Sequence, residues 1–348
     1  MSRRPPGFQT RAIRAAARMP EVRQRPTAVP IYQTATFSAE DAEQLGDVVA
    51  DGWAGYSYSR LSNPTTRALG DAFAEVAGGE AGYALASGMA AIHAALAATL
   101  RAGDRVVASR SLYGSTRAIL GGYFARFGVT AAFVDITDHG AVAAALAAAP
   151  TAVLYAETSA NPTTFLADHA ALASLAHRHG ARYLVDNTFA SSYVCRPLEL
   201  GADLVIESAT KYLGGHSDLI AGGVTGSAAD IRKIVQTRGA IGTQLDPNSC
   251  WMLLRSLETL QIRAERASTN ARRLAEFLRQ HDKIAKVDYL GFLADDDPRK
   301  KVFERQSTSP CSTFSFDVKG GEREAFAFLD KLSVCKLAVS LGGTETLI

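Results

Sequence analysis

From about residue 80 onward, short apolar runs alternate with segments long enough to be helices. The apolar runs 83–86, 105–108, 131–134, 152–156, 183–185, 204–206 and 222–225 predict strands. Between them, 91–100, 116–127, 141–149, 168–179 and 228–236 predict helices. Strands that are apolar at nearly every position are covered on both faces, so the alternation predicts an α/β fold with a mostly parallel central sheet and helices on both sides. In such a sheet ligands belong beyond the carboxyl ends of the strands.

A turn-rich stretch, RGAIGTQLDPNS at 238–249, leads into a predicted long helix at 250–281. Beyond it VDYL and TFSFDV alternate with a helical segment at 322–332, which predicts a smaller C-terminal α/β domain. The first fifty or so residues are punctuated by proline and carry no long periodic segment, as expected of an arm that drapes over another surface such as a second subunit. The expected divisions are an arm at 1–56, a large domain at 57–245 and a C-terminal domain at 246–348.

Composition narrows the function classes. With 348 residues, 47% apolar and 21% charged, the chain has ordinary globular proportions, and its net charge of +2 steers no polyanion toward it. Arginines are dispersed without interleaved aromatic clusters, so nucleic acid is not an expected partner. Cys195, Cys250, Cys311 and Cys335 lie far apart, with no metal-ligand spacing, and at this size they predict neither zinc nor a disulfide framework. That usage suits a reducing compartment, and no apolar signal region opens the chain, so the cytoplasm is the expected location. The alanine-rich runs 84–100 and 141–156 are interrupted and too weakly apolar to predict membrane spans.

The chemistry concentrates at predicted strand ends. Ser87-Gly88-Met89 opens a helix after the first strand, where backbone N–H groups can close on a phosphate, although a plain Ser N-cap reads the same. Asp186 ends the fifth strand, and LVIESATKYLGGHSD carries the sixth into Ser208, Thr210 and Lys211. A lysine beside a buried strand end is costly if it stays charged. No phosphate loop of the G-x-x-x-x-G-K-[ST] type and no G-x-G-x-x-G after a strand is present, so nucleoside triphosphates and dinucleotides are not favoured. A phosphate seat, an acid for a ring nitrogen and a desolvated lysine together are what pyridoxal 5'-phosphate needs from a protein. On this reading Gly214 and Gly215 keep side chains out of the cofactor space. His216 reads as a turn histidine and Glu157 as a structural acid at a strand end.

The motifs YSYSRLSNPTTRALG, ALASGMAA, SLYGST, ETSANPT, LVDNTFAS, ESATKYLGGHSD and VSLGGTETLI resemble those of the trans-sulfuration, or cysteine/methionine-metabolism, family of pyridoxal-phosphate enzymes, and the resemblance extends from about Thr10 to Ile348. It implies the aspartate-aminotransferase type of fold and a dimer with shared active sites, usually paired into a tetramer. It makes Lys211 the lysine condensed with the cofactor aldehyde and Asp186 the partner of the pyridine nitrogen. Ser87 would open the phosphate seat, with Gly88 and Met89 giving backbone amides to the phosphate and Ser208 and Thr210 giving hydroxyls. Tyr58 and Arg60 would reach that phosphate from the neighbouring subunit. Tyr113 would stack on the ring and act in acid–base chemistry at the leaving group, and Thr188 would lie beside the ring. Asn161 would touch both cofactor and substrate carboxylate, and Ser340 would help hold that carboxylate.

The expected reaction is γ-elimination on a small sulfur amino acid, methionine or homocysteine, to 2-oxobutanoate, ammonia and a thiol. Val339 stands where cystathionine-handling members commonly carry an acid, which favours an apolar γ-substituent; Ser115, where similar methionine lyases often place cysteine, points the other way. Replacement on an O-acylhomoserine and cystathionine γ-cleavage stay open, as does a cofactor-binding but catalytically impaired scaffold. The family also implies a later arginine for the substrate carboxylate, and the sequence stops at Ile348 before such a residue, so the C-terminal domain is expected to be incomplete.

Overall fold

A computed structural model describes Arg11 and residues 24–51, 53–160 and 164–348. Residues 1–30 and 31–348 are two compact units, and the second holds the elements that follow. All seven expected strands form: β1 (Ala81–Leu85), β2 (Arg105–Ser109), β3 (Thr130–Val134), β4 (Val153–Glu157), β5 (Arg182–Asp186), β6 (Leu204–Glu207) and β7 (Gly222–Gly226). They make one sheet in the order β1-β7-β6-β5-β4-β2-β3. Pairing is parallel from β6 through β5, β4 and β2 to β3, and β7 runs antiparallel to both β6 and β1.

Side-chain alternation sorts each strand between two cores. On one face Tyr155, Leu184 and Ile206 pack against Ala91, Ile92, Ala95 and Leu96 of the helix Gly88–Thr99. On the other, Leu154, Ala156, Tyr183, Val185 and Val205 pack against the helices His139–Ala148 and His169–Arg178 through Val142, Leu146, Leu172 and Ala176. Leu96 and Leu172 are fully buried, each contributing roughly 1.5–3 kcal/mol relative to exposure. This is the doubly covered parallel sheet that the uninterrupted apolar runs imply.

Several elements differ from the sequence pattern. The segment expected as one helix at 116–127 is a five-residue α-helix, Gly114–Ala118, a π-helical turn, Ile119–Tyr123, and a 3-10 turn, Phe124–Phe127, closed by Gly128 at φ +80°. The expected helix at 250–281 is two helices, Pro247–Leu257 and Leu260–Gln280, broken where Thr259 leaves helical geometry at φ −110°, ψ 7°. Among the described residues, four α-helices were not expected: the single turn Ser191–Val194, and Ala42–Ala50, Pro64–Ala77 and Pro298–Gln306. The last two start with Asn or Asp accepting a backbone N–H and proline in the first turn, a start signal present in the sequence as Asn63-Pro64 and Asp297-Pro298. Near the C-terminus β8 (Ile284–Asp288) and β9 (Ser315–Val318) form an antiparallel pair with the helix Glu322–Leu329 following. Among the described residues no helix is long and apolar enough to cross a membrane.

Because β4, β5 and β6 are parallel, they end at one edge of the sheet in Glu157, Asp186 and Glu207. Alternation sends Glu157 and Asp186, paired in register, to the face of the helix Gly88–Thr99, and Glu207 to the opposite face.

Candidate active site

Lys211 follows β6 in a tight loop. Its N–H donates to the Ser208 carbonyl (3.1 Å), and the Gly214 and Gly215 amides donate to Ala209 and Lys211 carbonyls at 2.8 and 2.7 Å. Arg263, on the helix Leu260–Gln280, clamps this loop from outside: its guanidinium donates to the carbonyls of Tyr212 (2.7 Å), Leu213 (3.4 Å) and Ser256 (2.8 Å) and to Thr259 Oγ1 (3.1 Å). A Cβ on Gly215, at φ +70°, would fall 1.8 Å from the same guanidinium. Gly215 therefore admits Arg263, and a Cβ on Gly214 would fall 2.7 Å from the Ala209 carbonyl oxygen, so both glycines serve the loop's own packing rather than clearing cofactor space, which corrects the sequence reading. The Lys211 Nζ donates to Ser340 Oγ at 2.9 Å. Burial holds the Lys211 ammonium below the ordinary lysine range, opposed by its attraction to Tyr113.

The phosphate seat is built on the helix Gly88–Thr99. Ser87 caps it by accepting the Ala90 N–H (3.0 Å), and the first intrahelical bond runs from Ala91 N–H to the Ser87 carbonyl. Gly88 and Met89 thus precede the helical bonds, with their amides and the positive end of the helix dipole at the cleft. The seat has no room for side chains. A Cβ on Gly88 would lie 2.8 Å from Ser208 Cβ, and one on Gly222 would lie 2.2 Å from the Ser87 carbonyl oxygen. Ser208 therefore lies against Gly88, and its amide is held by Thr188 Oγ1 (2.8 Å). The Thr210 hydroxyl lines the cleft while accepting the Ala221 N–H (3.0 Å) and donating to the Ala221 carbonyl (3.2 Å).

Asp186 is buried and accepts the Thr188 N–H at 3.0 Å. Burial raises its carboxyl above the usual range, an effect its Thr188 hydrogen bonds oppose. Glu157, beside it in register, accepts the Tyr113 N–H (2.5 Å), and burial followed by the Asp186 charge pushes it up to about 8. Tyr113 is 55% exposed at the rim.

Behind these residues, on the opposite face, runs a buried polar chain. Thr158 Oγ1 donates to Asn187 Oδ1 (2.7 Å), which commits that hydroxyl hydrogen, so His169 Nε2–H donates to Thr158 (3.1 Å) and His169 Nδ1 accepts from Tyr183 (2.9 Å). Burial pushes His169 down to about 3, consistent with that neutral tautomer. Asn187 Nδ2 donates to the Cys195 carbonyl (2.9 Å) and Glu207 (3.3 Å), and Ser192 donates to Glu207 (3.1 Å). The chain fixes Asn187, the residue next to Asp186.

One cleft of about 540 Å³ gathers Lys211, Tyr113, Asp186, Ser87, Gly88, Met89, Thr188, Ser208, Thr210, Val339 and Ser340 from the sequence-derived set. Tyr58 and Arg60 do not line it; Arg60 instead lies over the Tyr58 ring at 5.7 Å and donates to the Gly239 carbonyl. Asn161 lies outside the described residues. Sequence reasoning missed Ile92, Ser159, Phe189, Ile220 and Leu341 as lining residues and did not place Glu157 in the cleft. Glu157 and Asp186 do occupy matching strand-end positions, a signal that was legible. His216 lies outside the cleft, its Nδ1 2.7 Å from the Gly214 carbonyl, as a turn histidine should.

A primary amine with depressed basicity, a side-chain-free helix start and a buried carboxylate on one side of a cleft define an enzyme site for a phosphate-bearing aldehyde with a basic ring nitrogen. The donor set and the glycine-lined seat fit pyridoxal 5'-phosphate. Residues 9–348 match the model of the Cys/Met metabolism PLP-dependent enzymes. L-methionine gamma-lyase of Porphyromonas gingivalis is 41% identical over 345 residues, covering 98% of this chain and 85% of that protein. Cystathionine beta-lyase of Bacillus subtilis is 37% identical, covering 92% and 81%. The crystal structure of cystathionine gamma-lyase from Lactobacillus plantarum with L-serine superimposes with a TM-score of 0.84 at 37% identity, covering 92% of this chain and 80% of that one. The chain belongs to the Cys/Met metabolism family of PLP-dependent enzymes, and its cofactor is pyridoxal 5'-phosphate.

Proposed function

We propose that the protein catalyses γ-elimination on a small sulfur amino acid, methionine or homocysteine, consuming water and releasing 2-oxobutanoate, ammonia and a thiol. The observation that carries the choice of substrate is the apolar side of the cleft. Val339, fully exposed, Ile220, Leu341 and Ile92 line it, while the two carboxyls of the cleft, Glu157 and Asp186, lie at the strand ends. An uncharged thioether gains from burial against such residues, and a second ammonium finds no partner among them. The name of the P. gingivalis relative points the same way.

When bound, the cofactor supplies an electron sink for the substrate α-carbon. The chain's own residues do the rest. Gly88 and Met89 amides with the Ser208 hydroxyl would hold the phosphate, and Asp186 would keep the ring nitrogen cationic. Lys211 would be the amine that holds the cofactor's aldehyde end and the base that moves protons at the substrate α- and β-carbons, its burial favouring the neutral amine that a base requires. Ser340, now bonded to Lys211, is placed to take the substrate carboxylate. Tyr113 at the rim donates the proton to the departing sulfur.

On the same reading the active unit is a dimer, usually paired into a tetramer, in which Tyr58 and Arg60 complete a neighbour's phosphate seat. This is supported by their position away from their own chain's cleft. The arm 1–56, the cofactor domain 57–245 and the C-terminal domain 246–348 are the corresponding divisions, and the cytoplasm is the proposed location. The test is to incubate the PLP-loaded protein with methionine, homocysteine, cystathionine, and O-acylhomoserine plus sulfide, following 2-oxobutanoate and thiol. Highest kcat/KM on methionine or homocysteine supports the reading. Preference for either other substrate, or turnover of none, overturns it.

A further inference from the structure

Tyr113 is held by little of its own. It precedes a helix of five residues, Gly114–Ala118, with no side-chain cap, its ring is exposed at the cleft rim, and Gly114 follows it. Among the described residues one long-range hydrogen bond ties it to the sheet: its N–H donates to Glu157 Oε1 at the end of β4. The second anchor, Arg117 N–H to the Tyr113 carbonyl (3.0 Å), is local and moves with the loop. Glu157 itself is held firmly, being 6% exposed at the end of β4 and paired in register with Asp186 of β5.

We propose that Glu157 is a positioning residue that fixes the Tyr113 ring at the cleft by holding its backbone amide. The inference rests on the reading of Tyr113 as the group acting at the departing sulfur. A carboxyl suits the place for a reason the neighbours supply. Asp186 stands beside it in register, and two adjacent buried charges repel, so the pair holds a proton between them. The other titratable groups around it are Tyr113 and Lys211 on the cleft and Tyr155 behind the wall. Glu157 therefore acts mainly as a neutral acceptor toward the Tyr113 amide, and glutamine, whose side-chain carbonyl accepts in the same way, should replace it. Displacement of a reacting group by about 1 Å costs on the order of 100-fold in rate, which sets the scale for losing the anchor.

The experiment compares Glu157→Ala, Glu157→Leu and Glu157→Gln in wild-type and Tyr113→Ala backgrounds. Deuterium exchange of peptides spanning 110–118 is measured on the PLP-loaded and cofactor-free proteins alongside kcat and KM. The expected result is loss of exchange protection at the Tyr113 amide in the Ala and Leu variants, with retention in Gln. In step with it, kcat falls about 10- to 100-fold for Ala and Leu, stays within about threefold for Gln, and falls no further when Glu157→Ala is added to Tyr113→Ala. Unchanged protection in Ala and Leu, a Gln variant as impaired as Ala, or additive losses in the double variant would each overturn the proposal. The exchange arm needs no substrate, so a wrong assignment of the reaction is told apart from a wrong role for Glu157; Leu fills the volume if Ala fails to fold.

Discussion

Replacing Glu207 with glutamine isolates one buried charge whose cost can be worked from the structure. Glu207 is buried at the end of β6, with Ser192 and Asn187 as its partners, and burial pushes its carboxyl from 4.5 up to about 7 despite those hydrogen bonds. A carboxyl raised on folding binds its proton longer in the native state than in the unfolded chain. The stability it lends is therefore complete below about pH 4.5, falls as the unfolded chain ionises, and is lost once pH has risen through about 7. At about 1.4 kcal/mol per pH unit, that interval amounts to roughly 3 kcal/mol. Glutamine matches the protonated acid in shape and keeps an oxygen for Ser192 and Asn187, but does not titrate. Urea unfolding of the PLP-loaded wild type and Glu207→Gln, followed by far-UV circular dichroism at pH 5 and pH 8.5, should give a variant more stable by about 1 kcal/mol or less at the lower pH and by about 3 kcal/mol at the higher. An equal difference at both pH values, or a less stable variant at pH 8.5, would refute the assignment of a neutral Glu207 carboxyl to the fold.

Gly222→Ala should weaken PLP binding at least about tenfold in a fluorescence titration while leaving far-UV circular dichroism unchanged, because the new methyl group meets the Ser87 carbonyl at the phosphate seat. Affinity equal to wild type would show that the seat lies elsewhere. Arg263→Met removes the donors to the Tyr212 and Leu213 carbonyls; a loss of about 1–3 kcal/mol and a kcat reduced severalfold are expected from a loosened Lys211 loop, read by thermal unfolding and steady-state kinetics. A drop in stability with kcat intact would confine Arg263 to scaffolding.

The sheet was legible because parallel strands covered on both faces are apolar at nearly every position, and 183–185 or 204–206 admit few other readings. The helix Pro64–Ala77 was missed although its signals were present: the Asn-Pro start is followed by Leu69, Phe73 and Ala77 at four-residue spacing, all buried. The break at Thr259 was hidden because the apolar spacing continues across it, and the end of the first helix is set by backbone geometry. Within the site, Asp186, Lys211 and the Ser87-Gly88-Met89 turn could be read as strand-end chemistry. The bond from the Tyr113 amide to Glu157 spans 44 residues and depends on β2 and β4 being neighbours, which no local pattern states. Likewise Gly215 looked like cofactor clearance until Arg263, 48 positions later, was seen to occupy its open side.

Catalysis depends most on the sheltered amine of Lys211 forming the bond to the cofactor. Holoprotein reduced with borohydride, digested and mapped by mass spectrometry should carry the pyridoxyl group on Lys211, and the Lys211→Ala variant should take up none. Label recovered on a different side chain, or a wild type that releases all its PLP after reduction, would contradict it.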